Sequence, residues 1–374
     1  MRVFYDLENL PLFNNAVVTI GTFDGVHLGH QKIIHQLKDE AKQIAGETVI
    51  VTFHPHPRKI VQQNETPLRL LNTLNEKLSL LKKHNVENVI VVPFNEAFAS
   101  QTAEEYVQDF LVKKIHPHTI IIGYDHRFGK GRTGDYHTLE SYGKLLNFRV
   151  KEIPEKLLNE VTISSTKIRE ALLHGDIATV TNFLGYPYFL QGTVVKGNQI
   201  GRTIGYPTAN IQVEDADKLI PAIGVYAVKV IVNEAAYGGM LGISLRPTIE
   251  ESTRISIEVN IFDFAQDIYG KNIKVELLAW LRSEEKFNGL DALKAALAKD
   301  EEDAREILNK IITIIKGDLV YEKLKQLTLI KQLNWENYYL DEKNNEKWIE
   351  EYPNSFYQGG GEPQLRKLDK FSWE

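Results

Sequence analysis

The hydrophobic pattern of this chain changes its period part-way along, near residues 185–187. Before that point, short β-branched runs alternate with stretches of helical periodicity, which predicts a parallel, doubly wound sheet. After it, β-rich runs follow one another with little helix between them, which predicts a small antiparallel barrel. We therefore expect two domains of different architecture, an α/β domain and a β-barrel.

The predicted elements of the first half alternate along the chain. Its predicted strands are Ala16–Ile20, Thr48–Phe53, Asn88–Val92, Thr119–Ile122 and Phe148–Ile153. Its predicted helices are Gln31–Ala45, Asn75–Asn85, Ala103–Ile115 and Thr138–Leu146. Open sheets of this class bind ligands beyond the carboxyl ends of their strands, so we look for chemistry there.

The second half is predicted as a barrel closed by a helix. Its predicted strands are Gln191–Val195, Gly224–Val232, Gly238–Leu245, Arg254–Phe262 and Ile273–Leu281. The helix is predicted from Leu290 to about Ile315. The expected divisions are residues 1–186, 187–316 and a C-terminal extension, 317–374.

Composition and charge exclude several classes of protein. The 374 residues contain no cysteine, which rules out disulfides, thiolate catalysis and cysteine metal sites. The net charge of −6 offers no basic field for nucleic acid or an anionic membrane. No stretch approaches the roughly 18 apolar residues of a membrane span, and residues 1–11 do not resemble a signal peptide. A cytoplasmic address is expected.

A strand-to-helix turn carries the clearest chemical motif. The first predicted strand runs into G-T-F-D-G-V-H-L-G-H, residues 21–30. Glycines let the backbone approach a ligand closely, and a helix N-terminus offers free N–H groups to an anion. His27 and His30 are three residues apart, so they share a face of the helix and can donate hydrogen bonds to phosphate. The residues of this loop expected to line a nucleotide are Gly21, Phe23, Asp24 and Gly25.

Three further segments can contribute to the same site. I-S-S-T-K-I-R, residues 163–169, has helix-capping hydroxyls and two cations that can hold phosphate. The loop Gly123–Gly134 begins at the end of a strand and mixes glycines with basic and aromatic side chains, including Asp125 and Arg127. T-F-H-P-H-P, residues 52–57, is a further strand-end loop, whose histidines fit an ordinary loop better than a metal pair.

The second half holds a different set of polar residues. A loop with Gly197, Gly201 and Arg202 precedes Y-P-T-A-N, residues 206–210. Thr208 and Asn210 are two apart, so they point to one side of an extended chain and offer hard oxygen ligands for Mg²⁺. Glu258 alternates with Ile257 and Val259 on a predicted strand, and so points away from the apolar face. A carboxylate in that place is either a solvated strand residue or a general base.

Taken together, four segments resemble the adenylyltransferase module of prokaryotic bifunctional riboflavin kinase/FAD synthetases. They are G-T-F-D-G-V-H-L-G-H, T-F-H-P-H-P, the loop Gly123–Gly134 and I-S-S-T-K-I-R. The resemblance implies that ATP phosphates are handled by His27, His30, Ser164, Ser165, Thr166 and Arg169. It also implies that Asp125 and its loop, with Phe53 and Pro57, border FMN. His126 departs from the family pattern, in which Phe is frequent.

The barrel motifs are similar to the riboflavin kinase module of the same family. They are G-T-V-V-K-G, G-R-T-I-G-Y-P-T-A-N, G-V-Y-A-V, R-P-T and E-V-N-I-F-D-F-A-Q-D-I-Y-G-K. The resemblance implies that Thr208 and Asn210 hold Mg-ATP and that Glu258 is the base for the ribityl hydroxyl. It also implies that Arg202, Pro207 and the loop from Gly197 to Gly201 cover phosphate. Ser244 and Asn260 depart from the family's Gly and His.

The resemblance covers about residues 12–312 and implies an enzyme that makes FMN from riboflavin and then FAD from FMN. It also implies ATP as co-substrate, Mg²⁺ as cofactor and small molecules as partners. Whether the chain also forms a transient homo-oligomer is left open. One alternative is another adenylyltransferase of the H-x-G-H type. A second is a non-catalytic flavin-binding or regulatory protein on the same fold.

The last 44 residues, Lys331–Glu374, have a different composition, with three of the four tryptophans and the triplet Gly359–Gly361. Their aromatic content argues against disorder, although no helical or strand period is evident. Y-P-N-S, residues 352–355, and the glycines resemble a short module of bacterial immunity-type proteins. A packing extension specific to this protein is the alternative.

Overall fold

The computed structural model describes residues 1–61, 68–153, 163–197, 200–247, 253–312, 314–316, 318–333, 336–352, 363–368 and 371. The chain forms two compact units. The first comprises Met1–Tyr188 together with Val213–Ala222. The second comprises Phe189–Gln212 together with Ile223–Glu374. The functional boundaries at 186/187 and 316/317 remain predictions. A single cut along the chain does not describe the two units, because residues 213–222 belong to the first one.

The first unit is built on a six-stranded parallel sheet, which confirms the doubly wound prediction. Its strands are β1 (Arg2–Phe4), β2 (Val17–Ile20), β3 (Thr48–His54), β4 (Asn88–Pro93), β5 (Thr119–Gly123) and β6 (Arg149–Ile153). They lie in the order β1-β4-β3-β2-β5-β6. The central strands are buried on both faces, as near-continuous apolar runs require. The topology places the ends of β2, β3 and β5 side by side.

The helices of the first unit follow the strands closely. They are α1 (Leu28–Gln43), α2 (Pro57–Val61), α3 (Leu74–Lys83), α4 (Glu96–Ala99), α5 (Ala103–Glu105), α6 (Tyr136–Leu146), α7 (Ser165–Leu173) and α8 (Ile177–Leu184). Helix α5 continues as a π-helical segment, Tyr106–Ile115, which packs Phe110 and Leu111 into the core. Thr73 and Glu76 form a capping box that fixes the start of α3.

The second unit contains a closed six-stranded barrel, as predicted. Its strands are β7 (Phe189–Val195), β8 (Ala209–Gln212), β9 (Gly224–Val232), β10 (Ala235–Pro247), β11 (Thr253–Ile261) and β12 (Asn272–Ser283). Every neighbouring pair in the order β10-β11-β8-β7-β12-β9 is antiparallel. A short helix, α9 (Ile200–Thr203), precedes β8.

A long helix, α10 (Leu290–Ile312), packs on the outside of the barrel. Ala304 of this helix and Phe262 at the end of β11 are both buried in one cluster with Met240. Helix α10 therefore covers the face of β9 and β10 that carries Ala227 and Met240. Ile255, which alternates in step with Ile257 and Val259, is nonetheless 44% exposed near the start of the strand.

The C-terminal residues form a small sheet, contrary to the absence of strand periodicity in their sequence. Strands β13 (Ile314–Lys316), β14 (Thr328–Leu333), β15 (Glu336–Asp341), β16 (Glu346–Glu351) and β17 (Gln364–Leu368) lie in the order β13-β17-β16-β15-β14, with helix α11 (Asp318–Leu324) beside them. Trp348 and Ile349 are adjacent yet both buried, one in each of two small clusters. Because both faces of the strand carry buried apolar side chains, its sequence shows no alternation of apolar and polar residues. Residues 353–362, which carry the Y-P-N-S string after Tyr352 and the glycine triplet, lie outside the described residues.

Within the part of the chain that the structure describes, no helix has the length and apolar character needed to cross a membrane.

The C-terminal sheet has clusters of its own, so its removal should leave both larger folds intact. We predict that a chain ending at Ile312 stays folded and keeps both activities, because β13 is removed together with its partner β17. Thermal melting and separate assays of FMN and FAD formation check this. Loss of either activity in a soluble, monodisperse truncation would contradict it.

Candidate active sites

The loop between β2 and α1 has an unusual backbone. Phe23, Gly25 and Val26 have positive φ angles of 49°, 86° and 35°. Phe23 and Val26 are nonetheless almost fully buried. Glycine takes such angles freely, whereas the other two residues do so at a cost that the surrounding contacts must offset. Strain of this kind is concentrated at functional sites.

His27 and His30 come together at the start of α1. His27 occupies the N-cap position, and the two imidazole rings stack with centroids 3.7 Å apart. Among the described residues, neither buried Nδ1 atom has a hydrogen-bond partner. Burial and the nearby Arg169 lower the pKa of His27 to about 4. Burial, then His27 and Lys77, hold the pKa of His30 well below its ordinary value. The lowered pKa values favour neutral imidazoles, each of which carries one N–H donor.

Asp24 connects this loop to the start of α7. Its Oδ1 accepts hydrogen bonds from the backbone N–H groups of Leu71 and Asn72 at 2.9 and 3.2 Å. Its Oδ2 forms an ion pair with Arg169. Its backbone carbonyl accepts a hydrogen bond from Ser165 Oγ at 2.9 Å. Burial raises the pKa of the Asp24 carboxyl, and Arg169 acts against that shift.

The other predicted residues of α7 lie at the same place. Ser164 caps the helix by accepting from the backbone N–H of Lys167 at 3.3 Å, and Thr166 is exposed beside it. Arg169 also donates from Nε to the Arg69 carbonyl at 2.7 Å. Two of its three nitrogens thus stabilise the protein itself, which leaves less of the guanidinium for phosphate than the sequence suggested.

Lys77 is a residue of this site that sequence reasoning missed. Its ammonium donates to the Thr22 carbonyl at 2.9 Å and to Thr52 Oγ1 at 3.1 Å, so it joins the ends of β2 and β3. Burial lowers its pKa to about 8, and Asp24 opposes the shift. The signal was present: Lys77 shares the buried face of α3 with Leu80 and Leu81, where a lysine is out of place.

The predicted flavin-contacting residues follow β3 and β5. Phe53 packs edge-on against Phe94 with centroids 5.5 Å apart, and Pro57 begins α2. Burial, then the neighbouring Arg169 and Lys77, lower the pKa of His56 to about 3. His54 is exposed, and no cluster of three metal-ligating side chains occurs in the described ranges.

The loop after β5 is held closed by two backbone hydrogen bonds between Phe128 and Gly134, of 3.1 and 2.9 Å. Asp125 and Arg127 are exposed on it. His126, the departure from the family pattern, has a buried Nε2 with no hydrogen-bond partner in the described residues. Burial, then Arg132 and Arg127, lower its pKa to about 4, so a neutral ring stands where the family often has a phenyl group.

A second group of polar residues gathers where β8 pairs with β11 in the barrel. Asn210 lies opposite Glu258 in the ladder. Thr208 Oγ1 donates to Glu258 Oε2 at 3.0 Å, and Ser256 Oγ donates to Oε1 at 3.1 Å. The three residues singled out from the sequence are thus neighbours. Because the Thr208 proton is given to Glu258, the lone pairs of that hydroxyl stay free for a cation.

The glycines of the preceding loop allow a close approach to this group. A Cβ atom on Gly197 would lie 2.2 Å from Asn210 Nδ2, and one on Gly201 would lie 2.2 Å from the Tyr206 carbonyl oxygen. A side chain at residue 201 would clash with the backbone, whereas one at residue 197 would displace the Asn210 amide. Arg202, in α9, and Pro207 are exposed.

The two departures in the barrel have visible surroundings. Asn260 is buried and its Nδ2 donates to the Pro207 carbonyl at 2.7 Å, which holds the backbone just before Thr208. Ser244 lies opposite Ser256 in the β10–β11 ladder. Thr248, the end of the R-P-T string, lies outside the described residues.

Comparison with known proteins finds matches for both parts of the chain. The family model for FAD synthetase matches residues 11–167, and the model for riboflavin kinase matches residues 184–308. Curated bifunctional riboflavin kinase/FMN adenylyltransferases are similar over nearly their whole length. The protein from Listeria monocytogenes is 38% identical over 297 residues, covering 79% of this chain and 94% of the relative. That from Escherichia coli K12 is 37% identical over 307 residues, covering 82% and 96%.

The chain belongs to the family of bifunctional riboflavin kinase/FMN adenylyltransferases. Both family domains are present in one chain, and the family matches end at residue 308, before the C-terminal sheet.

A solved structure shares this fold. A crystal structure from Streptococcus pneumoniae, described as a macrolide-efflux protein, is 33% identical, with a TM-score of 0.74 over 81% of this chain and 98% of that one.

The stacked histidines generate a direct prediction. His27→Ala with His30→Ala should lower FAD formation from supplied FMN by roughly two orders of magnitude, because it removes two donors to the charge that develops as pyrophosphate leaves. FMN formation from riboflavin should be nearly unchanged. Separate assays of the two half-reactions by HPLC measure this.

His35→Ala is the matched control, since this histidine lies on the exposed side of α1 and its ring hydrogen-bonds to Asp39. If FAD formation in the folded double variant fell by less than about tenfold, the histidines would not be the phosphate donors.

Proposed function

We propose that the barrel transfers the γ-phosphoryl group of ATP to riboflavin, giving FMN and ADP. We propose further that the parallel-sheet unit joins the AMP portion of a second ATP to FMN, giving FAD and pyrophosphate. The observation that carries the kinase assignment is the hydrogen bond between Thr208 and Glu258 beside Asn210. The stacked histidines above the strained β2–α1 loop support the second assignment.

In the kinase step, Glu258 accepts the proton of the ribityl hydroxyl as the oxygen attacks the γ-phosphorus. Its two carboxylate oxygens each receive one hydroxyl hydrogen bond, which fixes the carboxylate plane. The bond from phosphorus to the β,γ-bridging oxygen breaks, and ADP leaves. Positioning supplies most of the acceleration in such transfers, so a carboxylate held from both sides is well suited to the role.

The residues beside Glu258 fit a divalent cation of the Mg²⁺ class. Thr208 and Asn210 offer neutral oxygens, and Mg²⁺ commonly takes few protein ligands and completes its shell with phosphates and water. When bound, Mg²⁺ would neutralise charge on the ATP phosphates. Thr208 is oriented by its hydrogen bond to Glu258, and the Asn210 side chain lies close to the backbone of Gly197.

In the adenylyl transfer, an FMN phosphate oxygen attacks the α-phosphorus and pyrophosphate leaves. The nucleophile is already an anion, so no strong base is needed. His27, His30 and the N-terminus of α7, with Ser164, Ser165 and Thr166, would donate hydrogen bonds to the phosphates. Gly21, Phe23, Asp24 and Gly25 would shape the nucleotide side, whereas Phe53, Pro57, Asp125 and Arg127 would border the flavin.

We also propose a cytoplasmic location, with Mg²⁺ as cofactor and the small molecules ATP, riboflavin and FMN as partners; a transient homo-oligomer is left open. Nucleic acid and membrane binding are not expected. A different adenylyltransferase of the H-x-G-H type would have no use for the Thr208–Glu258 pair. A non-catalytic flavin-binding protein would have no need for buried neutral histidines with unpaired nitrogens.

Glu258→Gln tests the kinase assignment. Glutamine keeps the size and one acceptor but takes up no proton, so FMN formation should fall by about 10²–10⁴-fold, the usual contribution of a general base. FAD formation from supplied FMN should stay close to normal. Glu276→Gln, on the barrel strand β12 beside Lys274, is the matched control.

A Glu258→Gln enzyme with near wild-type kinase turnover would return Glu258 to the role of a solvated strand residue. An equal loss of both activities in a folded variant would contradict the assignment of the two reactions to separate sites.

A further inference from the structure

Residues 213–222 belong to the parallel-sheet unit although they lie between two strands of the barrel, β8 and β9. The segment forms a short parallel bridge with the stretch before α3. Leu70 N–H donates to the Asp217 carbonyl at 2.7 Å, and Leu219 N–H donates to the Leu70 carbonyl at 2.8 Å. Two further bonds hold it: the Ala222 amide donates to the Leu172 carbonyl and the Tyr188 hydroxyl to the Leu219 carbonyl.

One residue of this segment, Lys218, is completely buried. Its side chain is 0% exposed, and its ammonium lies 4.4 Å from the centre of the Tyr188 ring. Nζ donates to Glu76 Oε2 at 2.7 Å and to the Leu71 carbonyl at 2.8 Å. Burying an ion pair costs free energy that its internal attraction offsets only in part. A lysine kept there needs a reason beyond stability.

The peptide group between Leu71 and Asn72 connects Lys218 to the nucleotide loop. Its oxygen accepts from Lys218 Nζ, and its N–H donates to Asp24 Oδ1 at 3.2 Å. A cation on the carbonyl oxygen polarises the peptide and strengthens the hydrogen bond that its N–H gives. The same Asp24 binds Arg169 and, through its carbonyl, Ser165 of the predicted phosphate helix.

We infer that Lys218, contributed by the riboflavin kinase part of the sequence, is a positioning residue for adenylyl transfer. It acts through the Leu71–Asn72 peptide on Asp24, and so on the loop that carries His27. The riboflavin kinase match covers residues 184–308 and therefore contains it. The adenylyltransferase site of this protein is complete only when residues 213–222 are in place. This inference rests on the proposed assignment of FAD formation to that site.

Lys218→Met tests the inference in the full-length chain, because methionine keeps the length of the side chain without its charge. FAD formation from supplied FMN should fall at least about tenfold at a temperature where the variant is folded, since misplacement by about 1 Å can cost on the order of 10²-fold. FMN formation from riboflavin should be unchanged. Lys144→Met, which removes a solvent-exposed ion pair on α6, is the matched control.

A double variant separates positioning from stability. Lys218→Met alone leaves Glu76 as a buried unpaired carboxylate and should lower the melting temperature, whereas Lys218→Met with Glu76→Gln removes both charges and should restore it. FAD formation should stay low in the double variant, because the Leu71 carbonyl still lacks its ammonium donor.

Recovery of FAD formation together with the melting temperature would overturn the inference, because the loss would then be one of stability. Near wild-type FAD formation in folded Lys218→Met, or equal losses of both activities, would also overturn it. The His27→Ala/His30→Ala variant tests the assignment of the site itself. If that variant kept normal FAD formation, the site assignment would fail. If it lost FAD formation but folded Lys218→Met did not, only the inference about Lys218 would fail.

Discussion

The β2–α1 loop is held in a strained conformation by side chains from α1 and from distant parts of the chain. Four of its carbonyl groups each accept a hydrogen bond from a side chain: Thr22 from Lys77, Asp24 from Ser165, Gly25 from Tyr186 and Val26 from Gln31. These donors lie on α3, α7, the segment after α8 and α1. A loop with positive φ angles at non-glycine residues persists only when its surroundings over-determine it.

The rest of the first unit can be understood from this requirement. Strands β2 and β3 must end side by side so that Lys77 can join Thr22 and Thr52. Asp24 must be buried among its partners, because its carboxylate binds the backbone N–H groups of Leu71 and Asn72 and the guanidinium of Arg169. With the loop held by these contacts, the two imidazoles stack, and no described residue hydrogen-bonds to either buried Nδ1 atom, which suits the proposed role of the pair as phosphate donors. In the barrel, the pairing of β8 with β11 places Glu258 opposite Asn210 and so positions the second group of polar residues.

Much of this was predictable from local sequence, since the relevant periods are short. The strand–helix alternation predicted the parallel sheet, and the spacing of His27 and His30 predicted a shared face. Lys77 and Lys218 were not found, because an alternation pattern treats a lysine as a mark of the surface. The assignment of residues 213–222 to the first unit could not be predicted for another reason: hydrogen bonds such as the one from the Leu219 N–H to the Leu70 carbonyl depend on tertiary structure alone. The departure at Asn260 became intelligible only with its bond to the Pro207 carbonyl.

We propose, as the central claim, that a single chain carries two separate sites that act in succession on a flavin. A time course of products from riboflavin, ATP and Mg²⁺, separated by HPLC, tests it most directly. FMN should appear first and then decline as FAD accumulates, with ADP formed in the first step and pyrophosphate in the second. FMN that accumulates without conversion, or a flavin left unchanged in the presence of folded protein and both co-substrates, would contradict the account.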